Sequence, residues 1–404
     1  MISLADVQNA VNLIQGKVIR TPLVYSPTLS QMTDAEIYLK LENLQMGGSF
    51  KARGATNKIQ SHLEHIREKG VIAASIGNHA QGVALAARTA GIPSTIVMPT
   101  WASIAKQEAT RGYGSEVILK GESLVECIEI ARQMALKTER LFIHPYDDEE
   151  VIVGQGTIGL EILEDLPGVN TIIVPVGGGG LIGGIAAAVK SLRPETRMVG
   201  VQAAACPSAI EAIKAGRPVA LNAEEKGSLA DAIMVTQVGD VSFALLRDLV
   251  DEIVAVDEER IAAAMLLLQE RKKILSEGAG AVPLAALLSR SIHLMPGSNA
   301  VLVISGGNVD SLLLDRVIHQ GLLFQGRLMR FSVILEDAPG SLAKLLNLIA
   351  GFDANIVHIH HARNERDLPL NFTRVDLELE TRDFSHIDRI RNLLEKTGYD
   401  IRLI

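Results

Sequence analysis

The sequence predicts an α/β protein built on parallel sheets covered by helices, followed by a smaller unit of ferredoxin-like β-α-β-β-α-β order. Three observations lead there. Short β-branched runs alternate with longer helical patterns from about residue 70 to 320, and such alternation produces parallel sheets buried on both faces. Several of these runs end in glycine-bearing turns, where sheets of this kind hold their ligands. Near residue 327 the texture changes to strands and helices in the ferredoxin-like order.

In chain order, Ser3 followed by Asp6 reads as the cap of a first helix. Residues 71–74, 94–98, 116–119 and 141–143 read as strands, with helices at 81–89, 103–111 and 123–137 between them. The alternation resumes with a strand at 171–176, a helix from about Leu181 and a strand at 198–201. It closes with a strand at 300–304 and a helix from Val309. Beyond it come strand 329–335, helix 341–350, strands 355–361 and 372–380, helix 385–396 and strand 399–403. The expected division is a first unit at 1–320 with a small lobe at about 45–150 inserted, a linker at 321–328, and a second unit at 329–404.

Composition narrows the class. A chain of 404 residues exceeds one ordinary core. The net charge of −8 argues against nucleic acid as the main partner. Cys127 and Cys206 offer neither a disulfide framework nor a CxxC pair. The start Met1-Ile2-Ser3-Leu4-Ala5-Asp6 lacks the basic-then-apolar pattern of a signal peptide, and the apolar run 182–189 is too short to span a bilayer. A cytoplasmic enzyme is the expectation.

Chemistry concentrates in four segments. Ser49-Phe50-Lys51-Ala52-Arg53-Gly54-Ala55 sets a lysine after an aromatic ring, where an irregular segment gives way to a helix. A lysine that attacks an aldehyde must lose its proton near neutral pH, which desolvation permits. Phe50 supplies a flat wall for such a ligand; the plainer reading is a solvated lysine opening a helix. Gly177-Gly178-Gly179-Gly180-Leu181 follows an apolar strand and opens an Ala-rich helix, so its N–H groups form an anion site suited to a monophosphate. Gly178, Gly180 and Gly183 also satisfy GxGxxG, but a dinucleotide fold expects an acid at the end of the next strand and Gln202 stands there. Ser75, Gly77, Asn78 and His79 open another helix and can hold a carboxylate, with a helix cap as the plainer role. Ser305 ends the strand 300–304, a position usual for a turn residue.

Together these segments resemble the fold-type II pyridoxal-phosphate enzymes, a two-lobed family, and within it the threonine/serine dehydratase (ammonia-lyase) branch. The resemblance covers most of residues 1–320. It implies pyridoxal 5'-phosphate as cofactor, Lys51 as the Schiff-base lysine and base, and Phe50 lining the ring. It further implies Asn78 at the ring hydroxyl, Gly177, Gly178, Gly179, Gly180 and Leu181 around the phosphate, and Ser305 at the pyridine nitrogen. Ser75, Gly77, Asn78 and His79 would bind the amino-acid substrate. The implied reaction is β-elimination of ammonia from L-threonine to give 2-oxobutanoate, with L-serine a slower substrate. A serine-preferring dehydratase and a non-catalytic amino-acid sensor are the rivals.

Residues 329–404 resemble an ACT domain through Asp337-Ala338-Pro339-Gly340-Ser341-Leu342, with Ala338 where Arg or Lys is commoner. The resemblance implies an amino-acid effector, isoleucine or valine for example, bound near Asp337, Pro339, Gly340 and Asn355, and a homodimer or homotetramer. Related serine racemases need an acid near position 76 and bind a cation near 202. Ile76 donates no proton, and Gln202, Cys206 and Ser208 suit a hard cation poorly, so weak racemisation and no metal are expected. His358 and His360 share a strand face while His361 points away, which reads as a polar rim. Glu277 reads as a neighbour of the cofactor or as an acid at a helix N-terminus, and Arg53 as half of a structural ion pair.

Overall fold

The structure is a computed structural model that describes residues 2–221, 227–363 and 368–404. The chain divides into two compact units, Met1–Asp310 and Ser311–Ile404.

The first unit carries two sheets. The larger contains β1 (Leu23–Tyr25), β2 (Glu36–Leu41), β7 (Thr171–Pro175), β8 (Arg197–Ala203), β9 (Glu252–Val256) and β10 (Asn299–Ile304). Their order is β1-β2-β10-β7-β8-β9, parallel except for the antiparallel edge strand β1. The smaller sheet is wholly parallel, in the order β5-β4-β3-β6, from β3 (Val71–Ala74), β4 (Ser94–Met98), β5 (Glu116–Leu119) and β6 (Leu141–Ile143). All four strands of the small sheet fall in sequence between β2 and β7, so that lobe is an insertion in the larger one. Every residue of β3, β4 and β7 is buried, as helices on both faces require. Ser3 and Asp6 form the reciprocal capping box expected of the first helix, Leu4–Ile14.

The helix Glu149–Asp165 joins the lobes and is absent from the sequence-based expectation. Gly154, Gly156 and Gly159 lower its intrinsic propensity, yet all three lie buried along it. They are there for contact between backbones. A Cβ on Gly154 would lie 2.7 Å from the Cα of Gly54 in the helix Lys51–Ile66, and one on Gly184 would lie 2.2 Å from the carbonyl oxygen of Ile152. Glu149–Asp165 therefore touches the lysine-bearing helix on one side and the helix that follows the four glycines, Gly180–Leu192, on the other.

The second unit contains β11 (Leu328–Glu336), β12 (Asn355–Ala362), β13 (Phe372–Glu380) and β14 (Ile401–Leu403), antiparallel in the order β12-β13-β11-β14. With helices Ser341–Ala350 and Phe384–Lys396 this is the expected ferredoxin-like order. Met329, Phe331, Val333 and Leu335 alternate along β11 into a core with Leu345, Ile349, Leu377, Ile390 and Leu394.

Several boundaries differ from expectation. The helix from Val309 begins at Ser311 and continues to Phe324, through half of the expected linker, and the division between units falls at Asp310. The cause is packing: His319 of that helix meets Glu378 Oε2 of β13 at 3.1 Å, tying the helix to the second unit. Strand β8 likewise runs on to Ala203, so Gln202 lies within it, fully buried.

Candidate active site

Lys51 is the first residue of its helix, preceded by Phe50 at the cap position. Its Nζ donates to the Pro145 carbonyl at 2.6 Å and lies 5.1 Å from the centre of the Phe50 ring. Burial pulls the amine down to about 8 from its usual 10.5, with Glu277 acting in the opposite direction. The free base is therefore accessible near neutral pH.

Backbone pairing brings Ser305 to the same place. Phe50 N–H donates to the Ser305 carbonyl at 3.1 Å, and Ser49 bridges Gly306 in antiparallel fashion. The Lys51 segment is thus stitched to the end of β10, with Ser305 buried beside it.

Asn78 begins the helix Asn78–Ala90 after β3, three residues earlier than the pattern predicted. Its amide nitrogen Nδ2 donates to the Glu277 carboxylate, lying 2.7 and 3.0 Å from the two oxygens, while its own oxygen accepts from Asn308 Nδ2 at 2.9 Å. Glu277 caps the helix Gly278–Leu288 by position only, because its side chain makes no capping hydrogen bond and turns to Asn78 instead. Burial raises its carboxyl to about 7, the Asn78 hydrogen bonds opposing that rise. Ser75 Oγ accepts from Gly77 N–H at 3.2 Å. His79 is buried, and its Nε2 is bound to the Ile143 carbonyl at 3.0 Å. Burial and the nearby Lys51 charge depress it to about 3, which keeps it neutral. Its Nδ1 is buried without a hydrogen-bond partner among the described residues.

The glycine turn leaves β7 and enters the helix Gly180–Leu192 through Gly179, whose φ of +96° is open to glycine at little cost. Leu181 follows, buried in the large-sheet core. A Cβ on Gly178 would fall 2.2 Å from the Tyr146 ring, and one on Gly180 would fall 2.5 Å from the Tyr146 carbonyl oxygen. Bare backbone is obligatory here. Its chemistry, N–H groups at the start of a helix on residues that carry no side chains of their own, suits a phosphate.

Other candidates have structural tasks. Arg53 is fully buried between Glu42 and Glu161, with contacts of 2.8 Å to Glu42 and 2.6 Å to Glu161, and Glu161 also meets buried Lys40 at 2.5 Å. Gln202 accepts from the N–H groups of Ala209 and Ile210 and donates to Val176 O and Ser208 Oγ, so its amide is spent on capping a helix. Cys206 Sγ reaches the Val235 carbonyl. His358, His360 and His361 are exposed on the edge strand β12, His360 lying 3.7 Å from Asp376. Pro145, Tyr146 and Asn308 have no assigned role in the sequence reading. Pro145 and Tyr146 do follow the end of β6, a position that marks ligand-facing loops.

An accessible buried amine beside an aromatic ring, with a bare glycine turn at a helix start, suits a pyridoxal-phosphate enzyme, and the chain belongs to that family: the family described as pyridoxal-phosphate dependent enzyme matches residues 14–306. Within it, the chain is 48% identical to L-threonine ammonia-lyase of Thermotoga maritima over 404 residues, 100% of each chain. A threonine deaminase of T.th. has a similar structure, with TM-score 0.72 and 40% identity, covering 76% of this chain and 99% of that one. Maize serine racemase does too, at TM-score 0.74 and 34% identity over 80% of this chain and 98% of its own.

Proposed function

We propose that the chain removes ammonia from L-threonine by β-elimination, giving 2-oxobutanoate, with Lys51 holding pyridoxal 5'-phosphate. The observation that carries this reading is the Lys51 amine, lowered to about 8 and seated between the Phe50 ring and the Pro145 carbonyl. Bound pyridoxal phosphate supplies the electron sink that makes the substrate Cα proton acidic.

The chain's own residues supply the rest. Lys51 would hold the cofactor, and its amine, as the free base, would be the group placed to take the substrate Cα proton. Gly177, Gly178, Gly179, Gly180 and Leu181 hold the phosphate. Ser305 would offer the ring nitrogen a neutral hydroxyl, a partner that does not hold a proton there as a carboxylate would, which would favour elimination over transamination. Ser75, Gly77, Asn78 and His79, at the start of the helix Asn78–Ala90, would receive the substrate carboxylate. Asn78, its amide nitrogen held by Glu277, would contact the ring hydroxyl. Ile76 packs against the small-lobe core and has no proton to give, so racemisation stays slow.

Residues 329–404 serve as an ACT-type amino-acid sensor, with the effector near Asp337, Pro339, Gly340 and Asn355. Gly340 takes a φ of +90° at the start of its helix, and Asp337 Oδ1 is 3.3 Å from Arg363 Nε. The protein acts in the cytoplasm as a homodimer or homotetramer. The test is Lys51→Ala: it should lose borohydride-stable cofactor and at least about a thousandfold of threonine turnover. Undiminished turnover refutes the assignment.

A further inference from the structure

The segment His144–Asp147 links the base to the phosphate cradle by direct contact. It leaves the end of β6 and passes its Pro145 carbonyl to Lys51 Nζ at 2.6 Å. One residue on, the Tyr146 ring lies so close over Gly178 that any Cβ there would meet three ring carbons within 2.7 Å. The carbonyl of Tyr146 stands against Gly180 and accepts from Ser242 Oγ at 3.2 Å, and its hydroxyl donates to the Gln237 carbonyl at 3.3 Å. His144 contacts the ring edge-on at 4.8 Å between centroids, and its Nδ1 accepts from Asp147 N–H at 2.8 Å. The Asp147 carboxylate then accepts from Asp240, Val241 and Ser242 N–H groups at 3.0 to 3.2 Å, locking the segment to the start of the helix Asp240–Leu249. The ring is therefore held at its face, edge and tip.

We infer that Tyr146 is a positioning residue that roofs the phosphate cradle and keeps it in register with the Lys51 amine. The inference rests on the cofactor reading above and adds a residue to it. A flat ring over Gly178 covers one side of the loop without supplying a competing hydrogen bond, so the loop N–H groups stay directed at the anion. Because the same dipeptide carries the carbonyl that holds Lys51, movement of the ring shifts the amine and the cradle together. The contribution is directed at the phosphate end of the ligand. A purely structural tyrosine would show no preference between ligands with and without phosphate.

The test uses the full-length protein freed of cofactor, titrated with pyridoxal 5'-phosphate and separately with pyridoxal, which has the same aldehyde and no phosphate. Binding is read by absorbance and by borohydride trapping at Lys51. Tyr146→Ala should weaken pyridoxal 5'-phosphate by about tenfold or more, the order expected for one well-packed ring contact, and pyridoxal by less than about threefold. Tyr146→Phe, which keeps the ring and loses only the Gln237 contact, should stay within about threefold of the natural protein for both. Equal weakening of the two ligands, or none, overturns the inference. If Tyr146→Ala does not fold, Tyr146→Leu is judged by the same ratio, since it keeps bulk without a flat ring. Failure of the natural protein to trap either aldehyde at Lys51 would instead sink the cofactor reading.

Discussion

Burial drives Lys51 and Glu277 in opposite directions, toward the neutral form of each. Lys51 falls to about 8 and Glu277 rises to about 7, so both titrate close to physiological pH. For Glu277 the sign is fixed by its raised value: the folded protein holds that proton more tightly than the unfolded chain. Its cost to stability is absent below the ordinary 4.5, grows as pH rises toward about 7 and is constant above. Glu277→Gln should therefore recover part, on the order of 2 kcal/mol, of the stability lost between about pH 4.5 and 7.5. Urea unfolding of cofactor-free protein at those two pH values measures it, and an unchanged difference would contradict the assignment. Arg53 illustrates the other fate of buried charge, where two carboxylates satisfy one guanidinium and the group stays ionised.

At the scale of elements, the helix Glu149–Asp165 governs where the reactive groups meet. Its contacts with Lys51–Ile66 and Gly180–Leu192 run through glycines, so the Lys51 amine and the glycine turn are placed by backbone packing. Side chains there have no room. Gly184→Ala would bring a methyl group 2.2 Å from the Ile152 carbonyl oxygen, which cannot rotate away. The variant should lose about 1–3 kcal/mol of stability and bind pyridoxal 5'-phosphate more weakly, because the helix opening the cradle is displaced. Thermal unfolding with and without cofactor reads both effects; a wild-type response in each would show that the contact is slack.

The whole molecule couples a ligand-binding α/β unit to a second core with its own antiparallel sheet. If the second unit senses amino acids, adding isoleucine or valine to the intact chain should change threonine turnover by about fivefold or more, the span of ordinary allosteric coupling. Turnover flat to both, up to millimolar concentrations, would rule out these two amino acids as its effectors.

Most strands were legible in sequence because each carries a local signal, an apolar run of four to six residues containing β-branched side chains, and several of them end at a glycine-bearing turn. Strand β2 was less legible, since Glu36 and Lys40 interrupt its apolar run and only burial of Lys40 against Glu161 explains a charge there. The helix Gly278–Leu288 was obscured by Pro283, and Glu149–Asp165 by its three glycines. Asn78 shows the same limit within the site. Its place at a helix start follows from sequence, whereas its engagement by Glu277, 199 positions away, depends on how the lobes pack.

By itself the sequence determined the parallel-sheet architecture, the glycine turn at the start of a helix and the ferredoxin-like tail, because propensity and pattern act over a few neighbouring residues. Tertiary structure alone decided that Pro145 and Tyr146 join the lysine to the cradle, that Glu277 orients Asn78, and that Ser311–Phe324 packs with the tail. Those outcomes depend on burial and close approach between segments far apart in the chain, and no local pattern encodes the distance between them.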